Sequence, residues 1–338
     1  MRKRYENGFF IIGILIFIVM VAQLDFVQVW DGVSRAGYWF VAVVALWFFL
    51  YFFNTAAWWS IIQCLDEQHR LRGSKGFIWL YKVTVSGFAL NYATPGGLMG
   101  GEPYKIMSLA PRITTELATA SVFLHTMTHI FSHFWFWLIA CLLYVVTQPL
   151  NWPMGVLIAA VTAFCLLAIC FFLKGYRRGI TVWAMTLLAR FPMIKRKAAP
   201  FFQRNAGRLH EIDLQMGMLL GRHPATFAWA VGLELACRIV SALEIMFVLL
   251  VILPSANFVQ CILILAFTSL VANMLFFIPL QLGGREGGFL MSVSGLGMSS
   301  SAGIFVALIV RLRELIWTGV GLLLIKIERK VVFQDKKK

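Results

Sequence analysis

The sequence predicts an all-α polytopic membrane protein. About eight spans are expected, including two re-entrant or broken-helix hairpins, arranged as an inverted-topology repeat. Three observations carry this. The 338 residues are 60% hydrophobic and 13% charged, with a mean hydropathy of +0.80, against about 45–50% apolar residues in a soluble domain. The basic residues bracket the apolar runs instead of forming one patch. Two glycine-rich stretches, NYATPGGLMGGEPYK at 91–105 and IPLQLGGREGGFL at 278–290, interrupt otherwise apolar sequence.

Apolar runs place spans at 9–29, 38–63, 77–94, 120–147, 153–173, 224–253, 258–278 and 303–326, most of them near the roughly 20 residues a bilayer crossing needs. No small-residue cleavage site follows the first run, which continues through Gln23 toward Trp30. It therefore reads as a transmembrane helix and not as a signal peptide. Residues 174–222 are different in kind. Arg190, Lys195, Arg196, Lys197, Arg204 and Arg208 alternate with apolar residues, as expected of an amphipathic helix on the cytoplasmic leaflet. The six cysteines have no metal-ligand spacing and read as small packing residues.

The net charge of +15 invites a nucleic-acid partner, but its distribution argues against one. Of 30 Lys and Arg, 22 fall in five groups, at 2–4, 70–75, 174–178, 190–222 and 326–338. With all five cytoplasmic, by the positive-inside rule, the uncharged loops at 148–152 and 254–257 are external and both termini are inside. Residues 77–119 must then leave the cytoplasm and return to it, while 258–302 must enter from outside and return there. The two reversals are the glycine-rich stretches. Offset by 184 residues, Pro95 meets Pro279, Gly100 meets Gly284, and Glu102 meets Glu286. The first repeat spans 38–147 and the second 222–331, with opposite orientations.

Non-helical backbone cannot face lipid, because unpaired amides cost several kcal/mol each there. Two such breaks imply a polar cavity. A half-helix starting near Gly101 would aim its amides into that cavity and favour an anion. Glu102 and Glu286 are carboxylates at membrane depth, a functional signal by default. Lys105, Arg285, Arg311 and Arg313 are candidate phosphate ligands, since arginine binds phosphate bidentately. The plainer reading of Arg311, Arg313 and Glu314 is a structural Arg–Glu pair, with Glu286 as a further partner open to it. Lys82 is a further candidate for the cavity. His125, His129 and His133 form one stripe at i, i+4 spacing, and Glu234 and Arg238 share one face of their span. The histidines read as a cavity wall, a proton relay or packed side chains, and Glu234 and Arg238 as part of the same wall or as a helix-stabilising pair. The third histidine reaches poorly toward a shared ion, so no metal site, catalytic residue or cofactor is expected.

The pairing of TPGGLMGGEPYK (94–105) with PLQLGGREGGF (279–289) resembles the flippase-like superfamily named for the transmembrane region of lysylphosphatidylglycerol synthase, over nearly the whole chain. Lys105 stands where that family commonly has Arg, which keeps the charge and loses the fork. The chain is expected to be a stand-alone member without the soluble aminoacyl-transfer domain. The resemblance implies translocation, across the bacterial cytoplasmic membrane, of an anionic or phosphate-containing lipid such as an aminoacyl-phospholipid or a polyprenyl-phosphate-linked sugar. Membrane lipids are then the partners. Two alternatives stay open: a membrane-embedded enzyme acting on lipid headgroups, and an anion channel or exchanger. The last rests on the likeness of GREGG (284–288) to the GREGP segment of chloride channels.

Overall fold

The computed structural model describes residues 26–93, 100–176, 221–275 and 284–335, with residues 18, 207, 214, 217 and 219. Most of the predicted first span and of the basic segment 174–222, and both Pro95 and Pro279, lie outside the described residues. Among these residues ten helices follow in order. They are α1 (Phe26–Ala36), α2 (Tyr38–Leu65), α3 (Gly73–Ala93), α4 (Gly101–Leu109), α5 (Thr115–Thr147), α6 (Trp152–Tyr176), α7 (Pro224–Leu250), α8 (Phe258–Met274), α9 (Gly284–Gly295) and α10 (Ser300–Asp335).

The helix ends follow local chemistry more than hydropathy. α5 begins at Thr115 and not near 120, because the Thr114 hydroxyl accepts the Leu117 amide at 3.2 Å and so holds a polar first turn. Asn257 caps α8 in the same way through the Val259 amide. Pro224 starts α7 in a first turn that needs no amide donor. α1 and α2 are separated at Gly37, whose φ of 54° is left-handed.

Among the described residues, α2, α5 and residues 152–173 of α6 are long and apolar enough to cross a membrane. This makes the chain a multi-pass helical membrane protein. α3, α7 and α10, at 21, 27 and 36 residues, match the bilayer in length but carry charged residues. α4, with 9 residues, and α9, with 12, are too short to cross.

The core has two halves. One gathers α2, α3, α4 and the first half of α5 with the start of α7 and residues Leu322 and Ile325 of α10. The other gathers α7, α8, α9 and the first part of α10 with the start of α2 and the later half of α5. α2 and α7 pack along each other between them. Helix starts at 38, 73, 101 and 115 recur at 224, 258, 284 and 300. The packed pairs recur too: α2–α3 with α7–α8, α3–α4 with α8–α9, α4–α5 with α9–α10, and α3–α10 with α8–α5.

One tight crossing joins the halves. The Ser86 hydroxyl on α3 donates to the Gly321 carbonyl on α10 at 3.1 Å. A Cβ at Gly321 would stand 2.4 Å from the Ala89 Cβ and 2.8 Å from the Val85 carbonyl, so a small residue is required, as at many membrane helix contacts. Gly321→Leu should therefore destabilise the fold by about 1–3 kcal/mol, read as a lowered thermal unfolding midpoint in detergent.

Candidate functional site

The site begins where α3 ends. Helix α4 restarts at Gly101 within the bundle, and its first amides need partners. The Asn91 side chain supplies one and fixes the neighbouring carboxylate. Its Oδ1 accepts from the Gly101 amide at 2.8 Å, and its Nδ2 donates to Glu102 Oε1 at 3.0 Å. The approach is close enough that a Cβ on Gly101 would lie 2.1 Å from the Gly87 carbonyl. Gly87 is small for a second reason: the Lys105 side chain crosses it, 2.6 Å from where a Cβ would stand.

Lys105 is 2% exposed. Its ammonium lies 3.5 Å from Glu102 Oε1, 5.0 Å from the Phe88 ring and 5.7 Å from the Trp58 ring. A buried lysine without the guanidinium fork is held here by one carboxylate and two aromatic faces. The other carboxylate oxygen, Glu102 Oε2, is buried and has no hydrogen-bond partner among the described residues.

The same aromatic wall carries the histidine stripe. His125 stacks on Trp58, and His129 faces Phe88. Both reach one carboxylate, with His125 Nε2 3.1 Å from Glu234 Oε1 and His129 Nδ1 2.8 Å from Glu234 Oε2. An ionised carboxylate only accepts, so His125 carries its proton on Nε2 and His129 on Nδ1. Glu234 and Arg238 share a face, as expected, but do not pair with each other. Arg238 donates to Ser132 Oγ at 2.8 Å and to the His129 carbonyl at 2.9 Å. His133 stands apart from the carboxylate, edge-on to His129, with its Nδ1 unpartnered. No group of three or more His, Cys, Asp or Glu among the described residues is placed to hold a metal ion.

A second cluster belongs to α9, α10 and α7. Arg285 pairs with Glu314. Arg311 pairs with Glu286 at 2.6 Å, the plainer of the two readings its position allows. Arg313 holds Glu244 with both arms, at 2.7 and 3.0 Å, and lies 3.7 Å over the Trp47 ring. The Trp47 indole donates to the same glutamate at 3.0 Å. Arg311 Nε is buried and unpartnered among the described residues. Tyr92, Arg285, Glu286, Arg311 and Glu314 enclose about 10 Å³ of water-accessible space, room for a single water molecule. Among the described residues the space between these side chains is small, because each arginine already has its glutamate. Gly284 begins α9 at this point, and a Cβ there would meet Leu275.

Two links join the clusters. Consecutive residues of α3, Asn91 and Tyr92, touch Glu102 on one side and line the arginine cavity on the other. An aromatic partition runs between them, as Tyr51 contacts Phe88, Trp317 and Trp47 in turn. Lys82 is not part of either cluster. It is exposed on α3, one residue off the buried face formed by Val83 to Gly87. Sequence reasoning passed over Asn91, Tyr92, Gly87 and the Trp58–Phe88 cage. Asn91 alone left a signal, as an amide at the end of an apolar run.

A family model described as the lysylphosphatidylglycerol synthase TM region matches residues 8–321. Neither a curated protein nor a solved structure matches the chain.

Arg313 and Glu244 are 2% and 3% exposed at their side chains. Removing one partner of such a pair strands the other charge and costs about 3–5 kcal/mol. Arg313→Met alone should lower the thermal midpoint in detergent strongly. The double variant Arg313→Met with Glu244→Met should recover a large part of that loss.

Proposed function

Because the chain belongs to the family of the lysylphosphatidylglycerol synthase transmembrane region, we propose that it is a flippase-like transporter and not an enzyme. Its cargo is an anionic or phosphate-containing lipid, such as an aminoacyl-phospholipid or a polyprenyl-phosphate-linked sugar. Transport runs across the cytoplasmic membrane, with both termini on the cytoplasmic side. The observation that carries the reading is the meeting of the two half-helix starts at one turn of α3, where Asn91 holds Glu102 and Tyr92 borders Arg285 and Glu286.

The recurrence of helix starts after 183 to 186 residues, and of packed helix pairs, supports an inverted repeat of 38–147 and 222–331. In such a repeat the headgroup site lies between the halves, and each half-helix approaches it from the opposite side. The glutamates of the closed site occupy the positions that a lipid phosphate takes when it binds. A phosphate replaces Glu286 at Arg311 and Glu314 at Arg285 as a bidentate partner, and the displaced carboxylates open the cavity. The buried Glu102 oxygen and the Trp58–Phe88 cage suit the cationic or hydroxyl part of a headgroup. The tails stay among the apolar helices.

Proteoliposomes carrying fluorescent phosphatidylglycerol, lysyl-phosphatidylglycerol or a polyprenyl phosphate should show protein-dependent movement of at least one of these between leaflets. Glu102→Gln and Glu286→Gln should each slow it about tenfold or more, the loss of about one charge-assisted hydrogen bond. Movement no faster than in protein-free vesicles for every lipid would refute the function. Unchanged rates in both variants would refute the site.

A further inference from the structure

A groove distinct from both charged clusters lies between α5, α6, α8 and α9. It encloses about 150 Å³ and is lined by Trp137, Tyr144, Leu157, Leu270, Met291 and Gly295, among others. Its few polar neighbours are engaged elsewhere. The Trp137 indole donates to Ser269 Oγ at 2.9 Å, and Ser292 is bonded to Thr268 and to the Phe289 carbonyl. No charged residue lines it. A headgroup would lose its hydration there without compensation.

Trp137 stands at the head of the groove. Where α10 meets α3, Gly321 lets the backbones close. The residue 184 positions earlier is Trp137, whose indole meets α8 at Ser269 and lines the groove.

Depth identifies what fills the space. Trp137 is ten residues and Tyr144 three residues before the end of α5 at Thr147. At 1.5 Å per residue these lie about 15 and 5 Å from that end, which spans about half of a 30 Å hydrocarbon core. The groove therefore occupies the leaflet that borders the α5–α6 turn. Leu157 is 42% and Met291 59% exposed, so its rim opens sideways, and at this depth the surrounding medium is hydrocarbon. A dry apolar cavity of about 150 Å³ accepts a guest the size of benzene, which corresponds to the last half-dozen carbons of a chain.

We propose that this groove binds one hydrocarbon chain of a lipid from the leaflet bordering the α5–α6 turn. Helix α9 joins it to the charged cluster, since it carries Arg285 and Glu286 at one end and Met291 and Gly295 at the other. The binding itself does not depend on transport and is measured without it.

The test uses the full chain in proteoliposomes containing phosphatidylcholine with a diazirine on one acyl chain, near either its terminal carbon or its carboxyl end. After photolysis, adducts are mapped by peptide mass spectrometry. Groove residues should be labelled about threefold more per residue than Leu166, Leu167 and Phe171, which are exposed on α6. The enrichment is modest because one hydrocarbon contact replaces another and only packing differs. The terminal probe should label Trp137 and Ala140, and the carboxyl-end probe Tyr144. Gly295→Leu, whose added Cβ meets nothing within 4 Å, should cut groove labelling back to the α6 level. Met291→Trp, at an exposed rim position, is the second filler. Equal labelling of groove and α6 means only bulk lipid contact and overturns the proposal. So does unchanged labelling in both fillers when their thermal midpoints match the parent. A reversed order of the two probes overturns the leaflet assignment.

Discussion

Backbone that leaves a helix inside hydrocarbon must find its hydrogen bonds within the protein, and the arrangement around α4 follows from how Asn91 meets that demand. One amide both accepts from the Gly101 nitrogen and donates to Glu102, so the helix start and the carboxylate are fixed together. To reach it, α4 must lie against α3 so closely that neither Gly101 nor Gly87 can carry a side chain. That contact in turn leaves Lys105 no exit to water. Its charge is met by Glu102 at 3.5 Å and by the faces of Phe88 and Trp58. A single hydrogen-bonding side chain thus sets the backbone path, two glycines and a buried ion pair.

The second cluster meets the same cost of burial with a different device. Three arginines on α9 and α10 each have a carboxylate: Arg285 with Glu314, Arg311 with Glu286, and Arg313 with Glu244. The last pair is bidentate, nearly sealed and backed by Trp47, which suits a fixed post. The Arg311–Glu286 pair is single-armed, with side chains 21% and 37% exposed, which suits exchange. Under the proposed function the exchangeable pair lies nearest the small cavity, and the fixed pair stands behind the aromatic partition of Tyr51, Trp47 and Trp317.

Much of this organisation was legible in the sequence. Helix starts recur within two residues of the 184-residue offset, and an Arg–Glu pair drawn from Arg311, Arg313, Glu314 and Glu286 was legible, though not which arginine takes which glutamate. The facing of individual residues was not legible. A helix that is apolar all round gives no moment to say which side meets protein and which meets lipid, and Lys82 was misplaced for that reason. The Trp58–Phe88 cage was hidden by abundance, since 30 phenylalanines and 12 tryptophans leave no single one conspicuous. Gly87 was hidden because its role lies in contact with a residue 18 positions away.

The proposed repeat is most informative where its halves differ. The position that is Gly101 in one half is Arg285 in the other, Lys105 becomes Phe289, and Asn91 becomes Leu275. In the first half the charges close within α4 and back onto α3, so releasing Glu102 would also free the Gly101 amide from the same asparagine. In the second half the described ion pairs run to another helix. Glu286 and Arg285 reach to α10, and Phe289, 2% exposed, anchors α9 by apolar contact alone. Breaking those ion pairs leaves the α9 backbone bonds intact. The two half-helices therefore differ in what must be undone for them to move. Under the proposed function, moving α9 breaks ion pairs, whereas moving α4 also breaks the hydrogen bond that holds its first amide.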